Sequence, residues 1–123
     1  SALVDGRRPT IYGDGEHTRD FTYVANVVDG VLRACTADNA SGEVINVATG
    51  GRISLNMLFQ SVRDLVGAKG EPSYAEPRAG DVKDSQADIG KARRILGYQP
   101  SVTFEEGLAK TVEWYKSSQV GVI

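Results

Sequence analysis

YAEPRAGDVKDSQADIGKARRILGYQP, residues 74–100, is the stretch on which the reading of this chain turns. It joins a Pro-Arg-x-Gly-Asp turn, a polar run, a short basic helix and a Gly-Tyr-x-Pro stop. Arg78 and Asp81 fall in one turn, and Gly80 between them permits a backbone path closed to other residues. A fixed guanidinium beside a carboxylate suits a phosphorylated, polyhydroxylated ligand. The cation grips phosphate through parallel hydrogen bonds, and the carboxylate accepts from hydroxyls. The same residues also suit a plain surface connection carrying an ion pair. The turn alone leaves both readings open.

Composition narrows the field. The chain has 123 residues, one domain's worth, with 41% hydrophobic and 24% charged side chains and a net charge of −2. That balance argues against nucleic acid or an anionic membrane surface as partner. No apolar run approaches a membrane span, and the first residues are not a signal peptide. A single cysteine excludes an internal disulfide and fits a reducing, cytoplasmic compartment. One histidine and one cysteine leave no structural zinc site.

The pattern along the chain is α/β: a small sheet with about four helices. Ala2 to Gly6 reads as the last turn of a helix with Gly6 as its left-handed stop. A helix end without its start suggests a piece of a longer chain. Pro9–Tyr12 is a short strand, Gly13-Asp14-Gly15 a turn, and Arg19–Tyr23 a second extended piece. His17 lacks a nucleophile or metal partner at a useful spacing and is expected to be a solvated loop residue. Val24–Thr36 is a helix, with Val24, Val27, Val28, Val31, Leu32 and Cys35 as one buried stripe and Cys35 a packed thiol. Glu43–Ala48 suits a buried strand. Ser54 caps a helix over Leu55–Val66 whose core face is Leu55, Leu58, Phe59, Val62, Leu65 and Val66, and Gly67 ends it.

Pro72–Glu76 is an edge strand leading into the quoted loop. Asp88 caps a helix over Ile89–Leu96, on which Lys91, Arg93 and Arg94 make a solvated face. Thr103 and Glu106 form a capping box for a last helix over Phe104–Ser118, with a frayed tail from Gln119 to Ile123.

In chain order these motifs are specific. Pro-x-Ile-Tyr-Gly-Asp-Gly (9–15), Arg-Asp-Phe-Thr-Tyr-Val (19–24) and Gly-Glu-Val-Ile-Asn-Val (42–47) come first. Pro-Arg-x-Gly-Asp-Val (77–82), Lys-Ala-x-x-x-Leu-Gly-Tyr-x-Pro (91–100) and Glu-Glu-Gly-Leu-x-x-Thr-Val-Glu-Trp-Tyr (105–115) follow. The succession resembles the C-terminal, substrate-binding part of the extended short-chain dehydrogenase/reductases, the NAD-dependent nucleotide-sugar epimerases and dehydratases of UDP-glucose 4-epimerase type. The resemblance covers about Ala2 to Lys116.

It implies that Thr10, Ile11 and Tyr12 lie against a nucleotide base, with backbone groups reading its edge and Tyr12 giving an apolar face. It implies that Arg19 and Arg78 bind the diphosphate of a UDP-sugar-like ligand from two sides, and that Asp81 accepts from ribose hydroxyls. Three positions depart from the family's habit. Ala79 replaces a proline, which is expected to loosen the turn; Asn26 replaces an aspartate; and Asp84 replaces a histidine, changing the charge at the entrance.

The resemblance also places NAD and the chemistry in an N-terminal Rossmann domain, a partner this sequence lacks. No Gly-x-x-Gly-x-x-Gly follows a strand, and none of Tyr12, Tyr23, Tyr74, Tyr98 and Tyr115 has a lysine four residues on. The family needs that tyrosine as base and the lysine to lower its pKa. The expectation is therefore a single ligand-binding domain over residues 1–123, with no catalytic residue, no cofactor site and no metal of its own. An alternative is an assembly module, since apolar faces left bare by a missing domain favour a homodimer or docking on a separate partner.

Overall fold

The computed structural model describes residues 1–120. Its elements in order are β1 (Thr10–Tyr12), β2 (Thr18–Arg19), α1 (Val24–Thr36), β3 (Ile53–Ser54), α2 (Leu55–Val66), β4 (Ser73–Ala75), α3 (Gly90–Leu96) and α4 (Phe104–Val120). The class is α/β with four helices, as the pattern predicts, and the sheets are smaller still. β1 pairs in parallel with β4, Thr10 opposite Ser73 and Tyr12 opposite Ala75. β2 pairs antiparallel with β3, Thr18 opposite Ser54. The extended piece expected over Arg19–Tyr23 thus pairs only at its start. The last turn before β1 is closed by Gly6, at φ +68°, with the Arg7 amide donating to the Ala2 carbonyl at 2.7 Å.

Local signals set the helix ends. The Ser54 hydroxyl accepts from the Met57 amide at 3.2 Å. Thr103 and Glu106 form a reciprocal box, each side chain accepting from the other's amide at 3.2 and 3.1 Å. Gly67 and Gly97 end α2 and α3 in the left-handed region. Asp88 accepts from the Gly90 amide at 2.8 Å, so α3 starts one residue later than expected. Of the tail expected to fray, α4 takes up Gln119 and Val120, and residues 121–123 lie outside the described ones.

The core sits under α3. Ala92, Leu96 and Tyr98 are buried, and Ala37, Ala40, Ile45, Val47 and Ile95 pack around them. The Tyr98 hydroxyl donates to the Ala48 carbonyl at 2.8 Å; burial, with Asp29 and Asp20 nearby, pushes its pKa up. Phe21 and Phe104 meet at 6.0 Å where α1's entry crosses α4.

Three expectations are corrected. Glu43–Ala48 is extended but forms no strand: among the described residues its backbone finds no ladder partner, although Ile45 and Val47 face the core and Val44 is 85% exposed. The α1 stripe is bare rather than buried: Val28, Val31 and Leu32 are 50, 54 and 62% exposed, and Cys35 is exposed too. The buried face is the opposite one, with Asn26 and Gly30. A Cβ on Gly30 would come within 2.5 Å of a Val47 methyl, so the missing side chain lets α1 lie against the 44–48 segment. Third, His17 is not solvated; its side chain is 14% exposed and its Nδ1 has no hydrogen-bond partner among the described residues.

Asn26 explains how a polar face can be the buried one. Its amide nitrogen donates to the Val102 carbonyl at 2.8 Å, and its oxygen accepts from the Ser101 and Val102 amides at 3.0 and 3.1 Å. An aspartate accepts both amides but leaves the Val102 carbonyl without a donor. Asn26→Ala is expected to lower stability by about 2–4 kcal/mol, the sum of three buried hydrogen bonds, in chemical denaturation. A loss under about 1 kcal/mol in that measurement would show that water replaces the amide.

Candidate functional site

An open cleft of about 540 Å³ with polar and apolar walls lies between β1, α2 and the loop after β4. Thr10, Ile11 and Tyr12 form one wall, Arg78 and Asp81 another, and Leu55, Leu58, Phe59 and Val62 the floor. Each part has a local cause. β1 is held on one side by β4 and pairs with no other strand among the described residues, so its second edge is open. The Gly13–Glu16 turn after β1 is tied to α2 by Asn56, whose backbone amide donates to the Gly15 carbonyl at 3.0 Å and whose side chain donates to the Asp14 carbonyl at 3.1 Å. Tyr74 on β4 donates to the same side chain at 2.9 Å. Wall and floor are therefore one unit.

The loop carrying Arg78 and Asp81 is an exposed four-residue turn. The Asp81 amide donates to the Arg78 carbonyl at 3.2 Å, and Gly80 has φ +79°. The turn is closed in spite of Ala79. Further along, the Lys83 carbonyl accepts from the Thr18 amide at 2.9 Å and the Ser85 amide donates to the Thr18 carbonyl at 3.1 Å. These two bonds lay the loop against β2.

The two arginines differ in their surroundings. Arg19 donates to Asp81 at 2.6 Å and to the carbonyls of Thr18 and Lys83 at 2.8 and 3.3 Å. It does not line the cleft but stands behind Asp81. Arg78 is in no ion pair among the described residues, and its guanidinium lies 4.2 Å from the centroid of the Tyr12 ring. Thr10, Ile11, Tyr12, Arg78 and Asp81 thus share one cleft, with Arg19 joined to it through Asp81. Asp84 lies outside the cleft, where the Thr18 hydroxyl and then Arg52, at 2.7 Å, hold its carboxyl below the usual range. The entrance charge introduced by Asp84 is therefore compensated.

Sequence reasoning missed two features. The floor residues carry the helical period that it assigned to the core; Leu55, Leu58, Phe59 and Val62 are only half-buried. Asp20 went unremarked, yet its carboxylate accepts from the Thr49 and Gly50 amides at 3.1 and 2.8 Å and from the Thr49 hydroxyl, fastening the 49–51 turn behind β2.

Comparison with known proteins gives this cleft a context. A model of the GDP-mannose 4,6 dehydratase family matches residues 2–111. The chain belongs to this family of NAD-dependent epimerases and dehydratases, extended short-chain dehydrogenase/reductases, and its resemblance to their C-terminal part is borne out. It is 42% identical over 116 residues to a UDP-glucose 4-epimerase of Mycolicibacterium smegmatis, covering 94% of this chain and 37% of that protein. The structure of a UDP-glucose 4-epimerase with UDP-glucose from Thermotoga maritima superposes with a TM-score of 0.90 at 39% identity, over 95% of this chain and 37% of that one. A UDP-glucuronic acid 4-epimerase of Bacillus cereus, in complex with UDP-glucuronic acid and NAD, superposes with a TM-score of 0.87 at 30% identity, over 95% and 39%. The chain spans less than half the length of these relatives.

NAD is bound in the Bacillus cereus structure named above. Its usual cradle is a strand running through a glycine-rich turn into a helix within a parallel sheet. Among the described residues the longest strands have three residues, and the glycine turn after β1 leads into β2 rather than into a helix.

The turn itself can be probed. Gly80→Ala is expected to strain the left-handed position by about 1–2 kcal/mol and to speed hydrogen exchange of the Asp81 amide. An unchanged exchange rate would mean that the turn closes without the glycine's freedom.

Proposed function

We propose that this chain is the nucleotide-sugar binding domain of an NAD-dependent epimerase or dehydratase. It takes a UDP-sugar-like ligand, and NAD and the catalytic tyrosine–lysine pair lie in a Rossmann portion that this sequence does not span. The observation that carries the reading is the convergence of Thr10–Tyr12, Arg78 and Asp81 on one cleft with an apolar floor. The open edge of β1 offers backbone donors and acceptors to a base, with the α2 floor against its faces. Arg78 meets the diphosphate, and Arg19 acts from behind Asp81, holding that carboxylate at the cleft wall. Asp81 keeps Oδ2 for ribose hydroxyls, since Oδ1 already accepts from Arg19. A diphosphate carries about two negative charges; Arg78 meets it as a cation without an ion pair among the described residues, whereas Arg19 shares its charge with Asp81. No turnover is expected of this chain alone, and its single cysteine supports a reducing, cytoplasmic setting.

Calorimetric titration with UDP tests this. Binding in the micromolar-to-millimolar range is expected, weakened by about 1.5–3 kcal/mol in Arg78→Ala, the scale of a charge-assisted hydrogen bond. Equal affinity of the two proteins would remove Arg78 from the site.

The bare α1 stripe favours a second role, assembly. Five large apolar side chains on one helix face, Val24, Val27, Val28, Val31 and Leu32, lie exposed. A surface of this kind packs against the Rossmann portion when that is present, and against a second copy when it is not. Light scattering should find concentration-dependent dimers that Val28→Glu with Leu32→Glu returns to monomers. A monomer at every concentration would count against self-association.

A further inference from the structure

Two cations stand near the cleft, and the fold holds them by different means. Arg19 is fixed by a carboxylate and two carbonyls. Arg78 sits on an exposed loop, and among the described residues its side chain makes no hydrogen bond or ion pair. Its one partner is the face of Tyr12. That ring belongs to β1, which is anchored along its length by β4 and beyond it by the Gly13 amide donating to the Ala75 carbonyl at 2.9 Å. Order therefore passes from the strand, through the ring, to the guanidinium.

The choice of an aromatic holder has a chemical consequence. A carboxylate would fix Arg78 equally well, but it would neutralise the cation and occupy its N–H donors, as Asp81 does for Arg19. A ring under a planar guanidinium touches only its face. Among the described residues none of its N–H donors is taken by a hydrogen bond or ion pair, which leaves them for oxygen acceptors.

We propose that Tyr12 is a positioning residue for the diphosphate, acting through Arg78 rather than by contact with the base. The proposal rests on the nucleotide-sugar reading of the cleft and assigns to Tyr12 a different task from the base contact implied by resemblance. The aromatic ring matters in this role; the hydroxyl does not.

The test titrates the 123-residue chain with inorganic pyrophosphate and with UDP, in wild type, Tyr12→Phe, Tyr12→Leu, Arg78→Ala and the Arg78→Ala/Tyr12→Leu double variant. Tyr12→Leu should weaken both ligands by the same factor, roughly three- to thirty-fold, the span of cation–π energies. Tyr12→Phe should stay within about two-fold of wild type, and Tyr12→Leu should add nothing once Arg78 is gone. In the free wild-type chain, the Arg78 side-chain protons should show an upfield ring-current shift by NMR, which does not depend on any variant folding.

Loss of UDP affinity with pyrophosphate affinity intact would overturn the proposal in favour of base contact. So would an equal effect of Tyr12→Leu with and without Arg78, UDP binding without pyrophosphate binding, or an unshifted Arg78 resonance. If wild type binds neither ligand, the nucleotide-sugar reading of the cleft falls, and this proposal with it. Normal binding with an indifferent Tyr12→Leu would sink the role of Tyr12 alone.

Discussion

The cleft depends on one parallel pairing, Thr10–Tyr12 beside Ser73–Ala75. Parallel strands cannot be joined by a tight turn; the chain must leave the sheet and return. Here the return path contains β2, α1, β3 and α2, so the pairing closes a loop of some sixty residues around itself. The excursion delivers the apolar face of α2 beneath β1, and the returning strand runs straight into the loop with Arg78. Without the pairing, the aromatic ring and the cation that rests on it would have no reason to meet. Its three-residue length is supplemented from outside, by Arg8 donating to the carbonyls of Glu71 and Pro72 at 3.0 and 2.9 Å and by Asn56 at the far end.

How much of this the sequence discloses depends on whether the signal is local. Helix ends were legible where caps act over three or four residues: α2 has the expected bounds, set by Ser54 and Gly67, and the Thr103–Glu106 box forms as its spacing requires. The Arg78–Asp81 turn was legible for the same reason, since one glycine sets it. The direction in which a helix faces is not local. The valine stripe of α1 has the right period for burial, yet Asn26 and Gly30 are the buried side. A satisfied amide and an absent side chain leave no hydrophobic trace. The period says that a helix has two faces; it does not say which one the rest of the chain covers.

The same logic accounts for Glu43–Ala48. Its residues alternate as a strand's do, with Ile45 and Val47 inward. A strand, however, is a property of two segments, and the second is not among the described residues. The site suffers less, because every residue of the cleft comes from elements that the chain folds for itself.

One more consequence follows from the way Arg19 is used. Its hydrogen bonds to Asp81 and to the Thr18 and Lys83 carbonyls, with the two backbone bonds from Thr18, make β2 a backing plate for the loop. β2 is in turn paired to β3, which leads directly into α2, the cleft's floor. Loop and floor therefore share a mechanical root two residues wide. Variation there shifts the spacing between the charged wall and the apolar floor while the side chains lining the cleft stay the same. The width of the cleft is thus set by the frame behind it rather than by the residues that line it.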